Sequence, residues 1–366
     1  LYLHIPFCKS KCAYCDFNSY ACKDEALILH YLTALNHEIS LAGKRFAKAK
    51  TDTVYIGGGT PSALDENKIS SVFNALENAF DLSFVKEFSI ECNPESITAE
   101  KLALYKKHGV NRISIGVQSL SDENLKVIGR LHDANTAIEK IKLAKEFFDN
   151  VSCDLIIGLP FDTVDGVREE VRALCPLVEH ISMYELSIEK GTRLERMIQN
   201  GKVVLPSDDD TQTLFDTAFD EAEKLGFKRY EVSNFAKNGK ISLHNFGYWT
   251  REEYLGLGAG AHSLVKTIDG EKRLESETRY ANFSKLAEYC AAVERKEDYK
   301  DIVRESVETL TEKDVKNETI MLGLRTHTGI NKDLLGKIDD RLSVFFEEQD
   351  GKVRLTRDGV AVMNSI

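Results

Sequence analysis

Short apolar stretches alternate with longer amphipathic ones along the first half of the chain. The apolar stretches are rich in Val, Ile, Phe and Tyr, a composition typical of buried strands. They predict strands at residues 1–5, 53–56, 87–91, 111–115, 151–157 and 180–186. Strands that alternate with helices indicate a parallel sheet, closed or partly closed as a barrel. The pattern therefore predicts an α/β fold built as a partial (β/α)6 barrel.

The stretches between the strands carry apolar residues at helical spacing. One such stripe consists of Ile69, Val72, Phe73, Leu76 and Phe80. A rougher stripe occupies residues 138–148. Residues 208–226 open with three aspartates and stop at a glycine, which suits the two ends of a helix.

The alternation of predicted strands and helices ends after residue 190, and we expect the chain to have three structural parts. Residues 1–190 form the barrel core, and residues 191–300 complete the barrel and contain a glycine-rich run. Residues 301–366 predict a small appendage of winged-helix type, with a strand at 352–355.

Composition excludes several classes of protein. The 366 residues include 48 Lys and Arg against 59 Asp and Glu, a net charge of −11, which disfavours nucleic-acid binding. No run of about 18 apolar residues predicts a membrane span. We find no signal peptide, so the expected location is the cytoplasm. The chain begins at Leu1 without a methionine, and we expect a short native N-terminal segment to be missing.

Three of the eight cysteines, Cys8, Cys12 and Cys15, crowd into the loop after the first strand. Thiolates are the soft ligands that iron–sulfur clusters need. Three protein ligands would leave one iron of a [4Fe-4S] cluster open to another molecule. The alternative is a zinc site, for which Cys22 or His4 would supply the fourth ligand. Either interpretation indicates a reducing compartment rather than a disulfide scaffold.

Polar residues follow the predicted strands, and the carboxyl ends of the strands are where barrel proteins place their active-site residues. Gly58, Gly59 and Thr60 follow the second strand in the segment GGGTP. Glycine allows a ligand to approach the backbone, although a tight turn is the alternative. The other such residues are Glu91, Gln118, Arg130 and Asp154. Carboxylates suit hydroxyl and amino groups, and a cation suits a carboxylate. For each residue alone, a structural role is the alternative.

The loop CKSKCAYC, with Tyr14 before its third cysteine, resembles the signature of radical S-adenosylmethionine (SAM) enzymes. The ordered segments YLHIPFC, GGGTP, ECNPE, SIGVQS, IGRLH and DLIIGLP resemble the oxygen-independent coproporphyrinogen III oxidases and their relatives, the HemW-type heme chaperones. This resemblance implies a radical SAM barrel, with Cys8, Cys12 and Cys15 on a [4Fe-4S] cluster and SAM on its open iron. It places these residues near SAM or the cluster: Tyr2, Tyr14, Gly58, Gly59, Thr60, Glu91, Gln118, Arg130, Asp154, Tyr184 and Glu185.

Three features separate the two branches of this family. Phe17 stands where the oxidases carry a further cysteine, and the oxidases have an N-terminal arm before the first strand. Residues 244–249 read HNFGYW and resemble the HN-x-x-YW motif of the HemW-type branch. The resemblance therefore favours a heme chaperone that passes heme to a recipient hemoprotein. The alternative is an enzyme that decarboxylates coproporphyrinogen III. A radical SAM enzyme acting on RNA is a weaker third alternative.

His244 opens this motif and is our candidate heme ligand, since histidine ligates heme iron axially. Tyr248 and Trp249 would line an apolar pocket for a flat ring. The alternative is that His244 has a structural role and that the aromatic residues are part of the core. His262, in the glycine-rich run, is the second candidate.

Overall fold

The computed structural model describes residues 1–47, 49–268, 274–336 and 338–363. Its strands in chain order are β1 (Tyr2–Ile5), β2 (Phe7–Cys8), β3 (Tyr20–Ala21), β4 (Thr53–Gly58), β5 (Glu87–Cys92), β6 (Arg112–Gln118), β7 (Asn150–Ile157), β8 (His180–Glu185), β9 (Lys228–Arg229), β10 (Asn234–Ala236), β11 (Gly256–Leu257), β12 (His262–Ile268), β13 (Leu274–Ala281), β14 (Ser306–Leu310), β15 (Ile330–Asn331), β16 (Phe346–Gln349) and β17 (Lys352–Leu355).

Its α-helices in chain order are α1 (Glu25–Arg45), α2 (Glu66–Ala79), α3 (Ala99–Lys107), α4 (Asp122–Ile128), α5 (Ala134–Phe147), α6 (Val164–Leu174), α7 (Arg193–Gln199), α8 (Asp208–Lys224), α9 (Leu243–Trp249), α10 (Leu286–Val293), α11 (Glu312–Gly323), α12 (Lys332–Leu335) and α13 (Arg357–Ala361). Short 3₁₀ turns connect several of them.

A nine-stranded sheet forms the centre of the fold, in the order β11-β1-β4-β5-β6-β7-β8-β10-β9. The strands from β11 to β8 are parallel, and β10 and β9 are antiparallel. All six strands predicted in the first half of the chain are present, and helices follow β4 to β8. The predicted partial (β/α)6 barrel is therefore confirmed.

Polar caps start the helices at positions that local sequence marks. The Asp65 side chain accepts from the Lys68 backbone N–H at the start of α2, and Ser207 caps the acidic first turn of α8. The predicted apolar face of α2 is buried through Ile69, Val72 and Phe73. Burial of these faces against the sheet is what stabilises the helices.

The two faces of the barrel strands differ sharply in chemistry. The residues that pack against the outer helices are apolar and buried, and include Val54, Ile56, Phe88, Ile90, Ile113, Ile115, Val117, Cys153, Leu155, Ile181 and Met183. The alternate residues point into the barrel, because successive side chains of a strand face opposite sides. Those inward residues include Tyr55, Ser89, Glu91, Arg112, Ser114, Ser152, Asp154, His180 and Ser182. The barrel therefore has an apolar outside and a polar interior.

The last part of the chain forms two small antiparallel sheets, β12-β13-β14 and β15-β17-β16. The predicted strand at 352–355 is present as β17, with α13 after it. Strand β14 lies beyond residue 300 and pairs with β13 before it. The domain limits at 190 and 300 and the winged-helix assignment stay predictions. None of the helices in the described ranges is long and apolar enough to cross a membrane.

Candidate cofactor site

The three clustered cysteines lie at one end of the barrel, in a loop that β2 and β3 hold in place. These two short strands pair in parallel, Phe7 opposite Tyr20 and Cys8 opposite Ala21. Within the loop, the Ala13 N–H donates to the Ile128 carbonyl at 2.7 Å, which fixes the loop against α4. Backbone contacts at its two ends and at Ala13 thus hold the loop in place.

The sulfur atoms of Cys8, Cys12 and Cys15 line a cavity of about 540 Å³. All three thiols are free and half-buried. The Thr60 hydroxyl donates to Cys8 Sγ at 3.4 Å, and the Arg130 Nη1 donates to Cys12 Sγ at 3.4 Å. Cysteine sulfur atoms are the protein ligands of iron–sulfur clusters. The donor set therefore fits a cluster held by three cysteines.

The residues that would complete a zinc site have other contacts. Cys22 Sγ lies 3.8 Å from the Asp24 carbonyl oxygen. The His4 ring nitrogens lie 2.8 Å from the Tyr2 hydroxyl and 2.8 Å from the Asn18 carbonyl. Neither Cys22 nor His4 lines the cavity with the three thiols. This geometry favours the cluster over a four-ligand zinc site.

The glycine segment at the end of β4 packs against the cysteine loop. A Cβ on Gly59 would lie 2.9 Å from the Phe7 carbonyl oxygen and 3.0 Å from Cys8 Sγ. Gly58 has φ +114°, a conformation that side chains disfavour. Both glycines and Thr60 line the cavity. The segment is thus both a tight backbone contact and part of the cavity wall.

Two buried carboxyl groups face the same cavity. Glu91 accepts from the Tyr55 hydroxyl at 2.8 Å and from the Gly58 N–H at 3.0 Å. Burial raises the pKa of Glu91 to about 7, against the effect of those hydrogen bonds. Burial also raises the pKa of Asp154 above its ordinary value. Glu91 can therefore hold or release a proton near neutral pH, and Asp154 keeps its proton to a higher pH than an exposed aspartate does.

Gln118 and Arg130 reach the cavity from the other side. Gln118 ends β6 with φ 73°, a left-handed conformation that costs a non-glycine residue about 1 kcal/mol or more. The buried guanidinium of Arg130 donates to the Asn93 Oδ1 at 2.9 Å and to the Gly116 carbonyl. Backbone strain at a cavity wall is a common mark of a binding site.

Tyr14, Tyr184 and Glu185 line the cavity as well, the last two at its exposed rim. Tyr2 lines a neighbouring cavity of about 420 Å³, together with Tyr248, Tyr254 and His262, and this second cavity shares Phe17, Gly58 and Glu91 with the first. The structure thus gathers the other predicted cluster and SAM residues around one cavity and places Tyr2 in the adjoining one. Their individual roles stay predictions.

Comparison with known proteins accounts for this arrangement. Residues 2–174 match the family model of the radical SAM superfamily. The heme chaperone HemW of Bacillus subtilis is 34% identical over 335 residues, which cover 90% of this chain and 84% of that protein. The mitochondrial radical S-adenosyl methionine domain-containing protein 1 of Bos taurus is 33% identical over 352 residues, which cover 94% of this chain and 77% of that protein.

The chain belongs to the HemW family of the radical SAM superfamily.

The structure of coproporphyrinogen III oxidase (HemN) from Escherichia coli, a radical SAM enzyme, has the same fold. It superposes with a TM-score of 0.80, covers 99% of this chain and 87% of its own, and is 20% identical. The cofactors of the superfamily, a [4Fe-4S] cluster and SAM, fit the three thiols and the polar residues beside them.

The HemW-type motif lies on α9, whose N-terminus is tied to the barrel. Glu87 accepts from the Leu243 N–H at 2.8 Å and from the His244 N–H at 3.2 Å. The buried His244 ring uses both nitrogens, with Thr53 Oγ1 at 2.8 Å and the Tyr248 hydroxyl at 2.9 Å. Burial lowers the pKa of His244 well below its ordinary value. Heme iron could bind this ring only if one of these hydrogen bonds were broken.

Sequence reasoning missed several residues of the cavity wall, namely Asn93, Arg112, Ser114, Ser182 and Asn245. A usable signal was present in β6, where Arg112, Ser114, Gly116 and Gln118 alternate with Ile113, Ile115 and Val117. Such alternation predicts one polar and one apolar face.

Proposed function

We propose that this chain is a cytoplasmic heme chaperone of the HemW type. It holds a [4Fe-4S] cluster through Cys8, Cys12 and Cys15, binds SAM at the strand ends, and holds heme for transfer to a hemoprotein. The observation that carries the proposal is the likeness to the Bacillus subtilis heme chaperone. That likeness covers nine-tenths of the chain and so necessarily includes residues 244–249.

Different residues of the chain have different roles in binding the cluster and SAM. Cys8, Cys12 and Cys15 would hold three irons of the cluster, and a bound cluster would supply an electron to SAM. The Arg130 guanidinium donates to Cys12 Sγ, and Glu91 and Asp154 would offer oxygens to polar groups of SAM. A chaperone does not require SAM to be turned over.

The second cavity supports the heme part of the proposal. Tyr248 and Tyr254 pack edge to face in its wall, with ring centroids 4.7 Å apart, and offer apolar surface to a flat macrocycle. His262 is exposed at the same cavity, and no hydrogen bond within the described ranges occupies its ring. Both His262 and His244 are therefore candidate heme ligands, and His262 can bind heme iron without the loss of a hydrogen bond.

A cytoplasmic location is supported by the cysteines. Every cysteine is a free thiol, including the buried Cys92, Cys153, Cys175 and Cys290. Free thiols and an iron–sulfur cluster both suit a reducing compartment.

One experiment separates chaperone from oxidase. Cluster-reconstituted protein is incubated without oxygen with SAM, a reductant and coproporphyrinogen III, and porphyrin products are measured by chromatography with mass detection. In parallel, heme is titrated and its Soret band recorded. We expect heme binding without loss of carboxyl groups from the porphyrinogen. Catalytic decarboxylation would make the protein an oxidase.

The same titration identifies the heme ligand. We compare the variants His244→Ala and His262→Ala with the unaltered protein. The variant that removes the ligand should shift the Soret band of bound heme, whereas the other should leave it in place. An unchanged spectrum in both variants would exclude both histidines.

A further inference from the structure

The interior of the barrel is polar, and the part of it next to the cysteine loop is open. Closed (β/α)8 barrels, by contrast, pack their centre with layers of Val, Ile and Leu. Here the wall of the main cavity includes Ser114, Asp154 and Ser182, whose side chains are small or charged. The cavity therefore continues inward from the cluster and SAM residues into the barrel itself.

Arg112 lies at the inner end of this cavity. It begins β6, whereas Gln118 ends the same strand at the cluster end of the barrel, and both residues line the cavity. Six residues of strand span about 20 Å. The backbone of Arg112 is therefore well below the strand ends at which the SAM residues gather. Its side chain is only 1% exposed.

Within the described ranges, the Nε and Nη1 atoms of the buried Arg112 guanidinium have no hydrogen-bond acceptor. Burial acts to lower the pKa of Arg112, and the charges of Glu87 and Asp154, which lie beyond ion-pair distance, raise it. Among the described residues, no carboxylate lies within ion-pair distance of it. The nearby Glu87 is already bonded to backbone N–H groups of α9, and Glu91 is bonded to Tyr55 and Gly58.

Two other arginines with little exposed side chain are paired with carboxylates. Arg251 donates to Glu277 at 2.8 Å and to Glu318 at 3.0 Å. Arg304 donates to Glu38 at 3.0 Å. A buried charge without a close counter-ion is costly, so Arg112 calls for a partner from outside the chain. The cavity that Arg112 lines shares Phe17, Gly58 and Glu91 with the second cavity, and such a partner enters there.

We propose that Arg112 is an anchor for a carboxylate arm of the ligand that enters the barrel, and that this arm is a heme propionate. The proposal rests on the heme-binding function proposed above. A guanidinium offers two parallel N–H donors that match a carboxylate, and the hydroxyls of Ser114 and Ser182 lie in the same wall. The methionine carboxylate of SAM offers the same chemistry, and the test must separate the two.

The test compares ferric heme with its dimethyl ester, in which both propionates are neutral. Dissociation constants are measured by absorbance titration of the cluster-reconstituted protein, with and without SAM. A buried charge-assisted pair predicts that the unaltered protein binds heme about tenfold to a hundredfold more tightly than the ester. In Arg112→Met, heme affinity should fall to that of the ester, while ester affinity stays unchanged. Arg112→Lys keeps the positive charge but lacks the two parallel N–H donors of a guanidinium. Its preference for heme over the ester should be intermediate between those of the unaltered protein and Arg112→Met.

Arg251→Lys is the matched control, because Arg251 is a buried arginine whose charge is paired outside the cavity. It should retain the full preference for heme over the ester. Iron content and circular dichroism verify that each variant is folded. If Arg112→Met does not fold, Arg112→Lys decides the question, since an undiminished preference there would contradict the anchor.

The outcomes are distinguishable. Failure of the unaltered protein to bind heme would overturn the proposed function itself. Heme binding with equal affinity for heme and ester, or a preference that survives in Arg112→Met, would overturn the role of Arg112 and leave the chaperone function in place. Loss of SAM affinity with unchanged heme affinity would assign the guanidinium to SAM and also overturn the proposal.

Discussion

Replacing Glu91 by glutamine is expected to remove a large pH-dependent contribution to the stability of the cluster-free protein. Both oxygens of this buried carboxyl group accept hydrogen bonds, from the Tyr55 hydroxyl and the Gly58 N–H. Glutamine imitates the protonated carboxyl group. Its amide oxygen can accept from the Gly58 N–H, and its amide nitrogen can donate to the Tyr55 oxygen.

The sign and size follow from the pKa. Burial raises the pKa of Glu91 from 4.5 to about 7, so the folded state holds the proton more tightly than the unfolded state. The resulting stabilisation is complete below pH 4.5 and is lost as the pH rises through 7. At ~1.36 kcal/mol per unit of pKa, the contribution is about 3 kcal/mol. The variant lacks this contribution because glutamine does not titrate.

The assay is urea unfolding of both proteins in buffers that cover this pH range. As the pH rises from the acidic to the neutral end of this range, the unfolding free energy of Glu91→Gln should increase by about 3 kcal/mol relative to that of the unaltered protein. Asp154 is present in both proteins and raises the pKa of Glu91, so its coupling to Glu91 is part of the expected difference. Glu185→Gln, an exposed amide substitution at the cavity rim, serves as control. A difference between the two proteins that is constant with pH would refute the reasoning.

Three further predictions concern the cluster loop and the strained strand end. Gly59→Ala would press a Cβ against Cys8 Sγ, and we expect a lower iron content and a loss of about 1–3 kcal/mol in unfolding free energy, measured by iron assay and denaturation. Gln118→Gly should relieve its left-handed strain and stabilise the protein by about 1 kcal/mol, while calorimetry shows weaker SAM binding. Cys12→Ala should abolish the visible absorption of the cluster, and full iron content in this variant would contradict the assignment of Cys12 as a ligand.

Local signals in the sequence were sufficient for the barrel and the cluster loop. Strand composition, helical stripes and the close spacing of Cys8, Cys12 and Cys15 each depend on near neighbours in the chain. The positions of Glu91, Gln118, Arg130 and Asp154 around one cavity followed from a general property of barrels, namely that strand ends meet at one edge.

Other features depend on contacts between distant residues and could not be predicted. Tyr2 begins β1, and its side chain lines the second cavity together with Tyr248. The hydrogen bonds of His244 with Thr53 join residues 191 positions apart. Only the structure shows that Arg112 has no ion-pair partner among the described residues, because this depends on which groups its neighbouring carboxylates bind. Sequence shows that a charged residue is present, but not whether its charge is matched.

The position of β1 within the sheet has a consequence for the order of events during synthesis. This first strand lies between β4 and β11, so one of its two neighbours is made only when the ribosome has passed residue 257. Asn18, at the end of the cysteine loop, likewise donates to the carbonyls of Ala259 and Ser284. Pairings across such long separations form late. β1 and the cysteine loop are therefore fixed only after the segment that contains Ser284 has been made, and we expect iron to be delivered after that segment has left the ribosome.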